Sequence, residues 1–93
     1  MKYKIFFTGK MKHDVKLLNK QGKDLSKLAV ILDKLSSDQQ LENSNRDHQL
    51  TGKLKDFREC HIEPDWLLIY QKNDKELFLI ATGSGSHSYL FGR

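Results

Sequence analysis

The sequence contains one cysteine, one proline and no long apolar run among its 93 residues. The lone cysteine, Cys60, excludes an internal disulfide framework and a zinc site built on paired cysteines, and it fits a reducing compartment. No apolar run approaches the roughly 20 residues that a membrane-spanning helix needs. The N-terminus also lacks the apolar core and cleavage site of a secretion signal. We therefore expect a cytoplasmic protein with no membrane association.

Basic side chains are plentiful by comparison. The chain carries 16 Lys and Arg against 12 Asp and Glu, a formal net charge of +4, and 38% of its residues are hydrophobic. This composition is typical of a globular protein, and the length allows one domain, residues 1–93, with a single modest core. The basic excess favours an anionic partner, such as nucleic acid or an acidic protein.

The first half of the chain predicts a strand followed by two helices. Lys4–Thr8 has the composition of a short strand. Apolar spacing predicts an amphipathic helix over about 12–21, ended by Gly22, and a second helix that begins after the N-cap residue Asp24. The polar stretch 36–52 is predicted to be a long loop, and long loops in compact domains are often functional.

The second half is strand-like. Strands are predicted over Lys53–Ile62, Trp66–Gln71 and Leu77–Thr82, and alternating side chains of the middle strand are expected in the core. The glycine-rich tail after Thr82 is predicted to be a flexible loop. The sequence therefore predicts an α+β fold in which an N-terminal strand precedes a helical hairpin packed on an antiparallel β-sheet.

Histidines are the residues best suited to chemistry. His13 lies in the first predicted helix and is expected on the surface. His48, His61 and His87, with Asp65 close to the only proline, offer acid–base groups that work near neutral pH. A His/His/Asp metal centre for zinc or iron is the alternative, although no His-x-His or His-Glu-x-x-His spacing supports it.

Two other motifs are expected to be structural. Cys60 and His61 resemble a nucleophile–base pair, but neighbours on a strand point to opposite faces, so Cys60 is expected to be a small buried residue. The glycine-rich segment Thr82–Ser86 lacks the Lys-Ser/Thr and the following helix start of a nucleotide-binding loop. Its glycines are expected to allow a sharp turn.

Three segments carry a specific family resemblance: Asp47–Gly52 (DHQLTG), His61–Trp66 (HIEPDW) and Ser86–Phe91 (SHSYLF). Together they closely resemble the YafQ branch of the RelE-like toxins of bacterial type II toxin–antitoxin systems. The family pattern is an Asp-His-x-Leu-x-Gly loop, a basic strand, a His-hydrophobic-Glu-Pro-Asp-Trp segment and a Thr-Gly-(Ser/Thr)-His turn before a final Leu-Phe. The resemblance covers essentially the whole chain and implies the RelE-like microbial ribonuclease fold.

The resemblance also implies a function. Such toxins are endoribonucleases (mRNA interferases) that cut mRNA, free or on the ribosome, and a cognate antitoxin silences them and mediates any contact with operator DNA. Cleavage without metal or cofactor needs a base for the 2′-hydroxyl and an acid for the departing 5′-oxygen. The family's functional residues map to His48, His61, Asp65, His87 and Phe91. We expect His87 as the acid, His61 and Asp65 on the base side, and His48 as an orienting group.

RNA binding is expected to use stacking and charge. Phe91 is expected to stack on a base. Phosphates are expected to be bound by three basic side chains, in a salt-sensitive way: Lys53, Lys55 and Arg58.

The chain departs from the family pattern in two places. The Thr82–Ser86 turn is expected to be two residues longer than usual, which could either displace His87 or form a bulge that leaves His87 in place. Ala81 stands where family members commonly have arginine. Both features favour a rival interpretation, a toxin fold with weak or no catalysis that acts through antitoxin binding and co-repression.

Overall fold

The computed structural model describes residues 2–92 and has the predicted α+β architecture. Its main elements in chain order are β1 (Lys4–Phe7), α1 (Gly9–Lys20), α2 (Leu25–Ser36), β2 (His48–Gln49), β3 (Arg58–Glu63), β4 (Trp66–Asn73), β5 (Phe78–Gly85) and α3 (His87–Phe91). Two short 3-10 helices, Asn43–Asn45 and Gly52–Leu54, flank β2. No helix within residues 2–92 is long and apolar enough to span a bilayer.

The strands form one five-stranded sheet in the order β1-β5-β4-β3-β2. Strands β2 to β5 pair antiparallel in succession, whereas β1 lies parallel to β5, with Lys4 opposite Phe78. The predicted antiparallel sheet is confirmed for β2 to β5, and β1 adds a parallel strand at one edge, so that the whole sheet is mixed. A parallel pair needs a long connection between its strands, and the whole chain between β1 and β5 supplies it.

The helical hairpin and one face of the sheet enclose the core. Trp66, Leu68 and Tyr70 alternate along β4 and are each at most 1% exposed, as predicted for that strand. Helix α2 packs its apolar stripe against them and begins as expected, because the Asp24 carboxylate accepts a hydrogen bond from the Ser26 N–H at 3.0 Å.

Two predicted element starts were wrong. Helix α1 begins at Gly9 instead of near residue 12, because the Thr8 hydroxyl accepts a hydrogen bond from the Met11 N–H and caps it. The strand predicted from Lys53 begins only at Arg58. Gly52 has a φ of +66°, which starts a 3-10 turn that an extended strand cannot contain.

The segment Thr82–Ser86 is not a flexible loop. Thr82–Gly85 completes β5, and the Ser86 hydroxyl accepts a hydrogen bond from the Tyr89 N–H and so caps α3. A register shift opposite Ile69 and Tyr70 of β4 absorbs the extra residue as a bulge. The prediction of a flexible loop was therefore wrong, and Ser84-Gly85-Ser86-His87 leads directly into the helix.

Candidate active site

The sheet face opposite the helical hairpin carries a carboxylate between two imidazoles. His48 lies directly across from Glu59 in the β2–β3 pair, and His61 follows two residues later on the same face of β3. Glu59 Oε1 is 3.5 Å from His61 Nε2 and 3.9 Å from His48 Nε2. Glu59 is only 7% exposed. It is the centre of this cluster, and sequence analysis did not select it.

Hydrogen bonds fix how both imidazoles are oriented. His48 Nδ1 lies 2.6 Å from the Arg46 carbonyl oxygen, and His61 Nδ1 lies 3.2 Å from the Pro64 carbonyl oxygen. Because a carbonyl oxygen only accepts, each Nδ1 must carry the hydrogen. Each Nε2 is therefore directed at Glu59 and bears a proton only when the ring is cationic. The cluster places a carboxylate and two imidazoles, the side chains suited to acid–base chemistry, together on this face of β3.

A third imidazole, that of His87, reaches the same place from α3. An open pocket of about 350 Å³ is lined by Leu50, Glu59, His87 and Phe91. The His87 and Phe91 rings lie on one side of α3, with centroids 5.0 Å apart and planes tilted by 48°. The pocket thus presents a carboxylate and an imidazole between two apolar side chains. This arrangement suits acid–base chemistry on a ligand with a flat apolar part.

Asp65 holds the start of α3. Its Oδ1 accepts a hydrogen bond from the His87 backbone N–H at 3.0 Å. A carboxylate in this position also interacts favourably with the positive end of the helix. The structure therefore links Asp65 to His87 through the backbone of α3.

The three predicted phosphate-binding residues are in different surroundings. Lys53 and Lys55 are exposed in the turn between β2 and β3. Arg58 points to the opposite sheet face from Glu59, where its Nε donates to the Tyr70 hydroxyl at 3.2 Å. The structure does not bring Arg58 to the histidines.

Arg58 belongs to a separate polar cluster. Its Nη2 lies 3.4 Å from Asp47 Oδ2, and the Tyr70 hydroxyl donates to Asp47 Oδ1 at 2.5 Å. Burial and the hydrogen bond to Asp47 raise the pKa of Tyr70, so the hydroxyl keeps its proton. The charge of the Arg58 guanidinium is balanced within the protein by the Asp47 carboxylate.

Cys60 is fully buried on the core side of β3, away from its neighbour His61. Burial raises the pKa of the Cys60 thiol to about 12. The thiol is therefore structural, and the predicted absence of a Cys–His dyad is confirmed.

Comparison with known proteins points to one family. Residues 3–92 match the family model described as the bacterial toxin of type II toxin–antitoxin systems, YafQ. The chain is 40% identical over 89 residues to the mRNA interferase toxin YafQ of Escherichia coli strain K12, which is 95% of each protein.

Solved structures of bacterial toxins are also similar to this chain. A chain in the crystal structure of the E. coli DinJ–YafQ toxin–antitoxin complex has a TM-score of 0.88 and 36% identity, covering 99% of this chain and 100% of that chain. A metal-bound toxin from Helicobacter pylori has a TM-score of 0.90 and 44% identity, covering 96% and 99%.

Proposed function

This chain belongs to the YafQ family of type II toxin–antitoxin toxins, and we propose that it is an mRNA interferase, an endoribonuclease that cleaves mRNA and inhibits translation. The observation that carries the proposal is that Glu59 and His87, from separate elements, line one pocket. The mRNA interferase YafQ of E. coli, 40% identical to this chain, supports the choice of substrate.

The proposed reaction is transfer of a phosphoryl group to the neighbouring 2′-oxygen. Glu59 takes the proton from the 2′-hydroxyl as that oxygen forms a bond to phosphorus. The bond from phosphorus to the 5′-oxygen breaks, and protonated His87 gives its proton to the departing oxygen. The products are a 2′,3′-cyclic phosphate and a 5′-hydroxyl, and water can open the cyclic product to a 3′-phosphate.

The remaining site residues assist these two groups. His48 and His61 are directed at Glu59 through Nε2 and, when cationic, place positive charge beside it. Phe91 and Leu50 form apolar walls that suit a nucleobase, and stacking on an aromatic ring is worth roughly 1–3 kcal/mol per base. Asp65 acts on the backbone of α3 and so keeps His87 in place.

Phosphate charge is assigned to Lys53 and Lys55, which are exposed beside β2. Ala81 is fully buried in β5 and faces the core, so an arginine there would not reach the pocket. Gly83 directly precedes the segment Ser84-Gly85-Ser86-His87, but it has no side chain and so supplies no positive charge either. Because Thr82–Gly85 is held in β5 with one bulge and His87 lines the pocket, the catalytic interpretation is preferred over an inert module.

No metal takes part in this scheme. Although one relative is a metal-bound toxin, residues 2–92 contain no group of three His, Cys, Asp or Glu side chains arranged to hold an ion. The proposed scheme needs only the chain's own side chains, Glu59 and His87, for its two proton transfers.

A cognate antitoxin is the proposed protein partner, as in the DinJ–YafQ complexes. The antitoxin would also provide any contact with operator DNA. We place the complex in the cytoplasm, where mRNA is translated.

The test is cleavage of a defined naked mRNA by antitoxin-free protein in excess EDTA, with ends mapped by primer extension. His87→Ala should lose about 10²- to 10⁴-fold in rate. His13→Ala is the matched control, because His13 is exposed on α1 and should leave cleavage unchanged. The assay is repeated with translating ribosomes. Absence of cleavage in both formats would favour the inert, co-repressing module.

A further inference from the structure

Helix α3 carries both His87 and Phe91, yet it is only five residues long. A helix this short does not form on its own, because nucleation costs more than so few hydrogen bonds return. Its position in the site must therefore come from contacts with the rest of the protein. Those contacts therefore determine the positions of His87 and Phe91, two of the four side chains that line the pocket.

One of these contacts reaches a buried carboxylate on α1. Asp14 is 0% exposed, and its Oδ1 accepts a hydrogen bond from the Tyr89 hydroxyl at 2.5 Å. Its Oδ2 accepts from Lys10 Nζ at 2.7 Å and from the Ser84 N–H at 3.0 Å. A single side chain thus joins α1, the end of β5 and the middle of α3.

The carboxylate is ionised at neutral pH. Burial alone would raise the pKa of Asp14, but the hydrogen bonds from Lys10, Tyr89 and Ser84 outweigh it and hold the pKa below its ordinary value. Hydrogen bonds to an ionised acceptor are stronger than those between neutral groups. Lys10 Nζ also lies 5.0 Å from the centre of the Tyr89 ring, which adds a cation–π contact.

Packing restricts the Tyr89 ring from the other side. A Cβ at Gly85 would lie 2.6 Å from Tyr89 Cδ2, so the ring rests directly on the Gly85 backbone. Tyr89 is therefore held by the hydrogen bond of its hydroxyl to Asp14 and by packing of its ring against the Gly85 backbone of β5. Only a narrow range of α3 positions satisfies both contacts.

We infer that Asp14 is a positioning residue of the active site, which acts through Tyr89 to hold α3 and so sets His87 and Phe91 against Glu59. The hydrogen bonds that Asp14 accepts come from Lys10, Ser84 and Tyr89, and none of these residues lines the pocket. The inference rests on the proposed nuclease function, since positioning has a catalytic consequence only if His87 transfers a proton.

The experiment compares two tyrosine–aspartate hydrogen bonds in the same protein. Tyr89→Phe removes the hydroxyl that reaches Asp14. Tyr3→Phe is the matched control, because the Tyr3 hydroxyl donates to Asp74 at 2.6 Å, a hydrogen bond that involves no residue of α3. Two quantities are measured for each variant: kcat on the defined mRNA, and amide hydrogen exchange of Tyr89 and Leu90.

Tyr89→Phe should lower kcat by about 10- to 100-fold, the loss typical of a small displacement of reacting groups, and should speed exchange of the α3 amides. Tyr3→Phe should lower the denaturation midpoint while kcat and α3 exchange stay at wild-type values. Asp14→Asn should resemble Tyr89→Phe, and the double variant should be no slower than the slower single variant, because both act through one bond.

The two hypotheses fail in different ways. If the wild type cleaves and His87→Ala does not, but Tyr89→Phe keeps wild-type kcat, then the positioning role is wrong and the nuclease stands. If no form of the protein cleaves RNA, the proposed function is wrong. Hydrogen exchange of the α3 amides then remains as the test of whether the Tyr89–Asp14 hydrogen bond holds α3. Unchanged α3 exchange in Tyr89→Phe would overturn the inference in either case.

Discussion

Replacing Glu59 with glutamine tests the chemistry most directly. Glutamine has almost the same shape and can still form hydrogen bonds, but it cannot accept the 2′-hydroxyl proton. Glu59 is only 7% exposed and has an imidazole nitrogen at 3.5 Å and another at 3.9 Å, so water has little room to replace the lost carboxylate. A positioned base typically contributes 10²- to 10⁴-fold in rate, or about 2.7–5.4 kcal/mol of barrier.

The assay is single-turnover cleavage of an end-labelled RNA in excess EDTA, with circular dichroism to verify folding. Glu63→Gln is the matched control, since Glu63 is also a carboxylate on β3. Its side chain instead pairs with Lys27 at 2.8 Å and Lys23 at 3.4 Å, which belong to the helical hairpin and the turn before α2. The control should cleave at the wild-type rate.

One result would refute the reasoning. If Glu59→Gln cleaves within about threefold of wild type while His87→Ala is inactive, then Glu59 is not the base. The proton would then be taken by an imidazole, and His61→Gln would show the larger loss. A folded Glu59→Gln protein that loses both cleavage and RNA binding would instead point to a role in holding substrate.

Four further outcomes are expected. Arg58→Met should lower the free energy of unfolding by about 1–3 kcal/mol, because it leaves hydrogen-bonded partners unpaired, without changing the salt dependence of RNA binding. Lys53→Met and Lys55→Met should each flatten the slope of log affinity against log salt by about 0.7, and a flatter slope for Arg58→Met would place that guanidinium on the RNA. Cys60, with its pKa raised to about 12 by burial, should react with a maleimide at pH 8 only as fast as the protein unfolds, and prompt labelling would contradict its burial. Folding lowers the pKa of Asp14 below its ordinary value of 3.8. The charge of Asp14 therefore stabilises the protein above that pH, and this stability is lost as the pH falls through the folded-state pKa. Urea midpoints should fall more steeply below about pH 4 for wild type than for Asp14→Asn, and parallel curves would refute this.

Local patterns were sufficient for the elements whose signals are local. Asp24 followed by a helical apolar stripe predicted α2, and the cap is present as expected. The apolar run of β4 predicted a strand with side chains in the core, and Trp66 to Tyr70 are all buried. Both predictions succeeded because propensity, capping and burial agree along a single segment.

Predictions failed where pairing between segments decides the conformation. The glycines of Thr82–Gly85 indicate a turn when read alone, yet pairing with β4 extends them into a strand with one bulge. Glu59 looks like one more charge in a basic strand, and only the β2–β3 register places it opposite His48. Alternation offered a signal for it, since residues two apart on a strand share a face and Glu59 stands two before His61.

The same alternation argues against Arg58 as a site residue. Cys60 was expected to face the core, and a residue two positions earlier on the same strand faces the same side. The structure places the Arg58 guanidinium against Tyr70 and Asp47 on that side. The alternation of side chains along β3 therefore predicted the position of Arg58 better than its charge or its closeness to His61 in sequence.

The sheet register explains why three distant motifs meet. His61 of β3 lies opposite Leu67 of β4, and Leu67 lies opposite Gly85 of β5, so one row of residues crosses three strands. Helix α3 begins two residues beyond the end of this row and can therefore fold back over it. Strand β2 adds His48 opposite Glu59, which lies two residues from His61 on β3. A shift of one residue in either pairing would turn the histidine or the helix to the other face of the sheet. The site is thus a property of the register, and each motif contributes to it only through the strand that carries it.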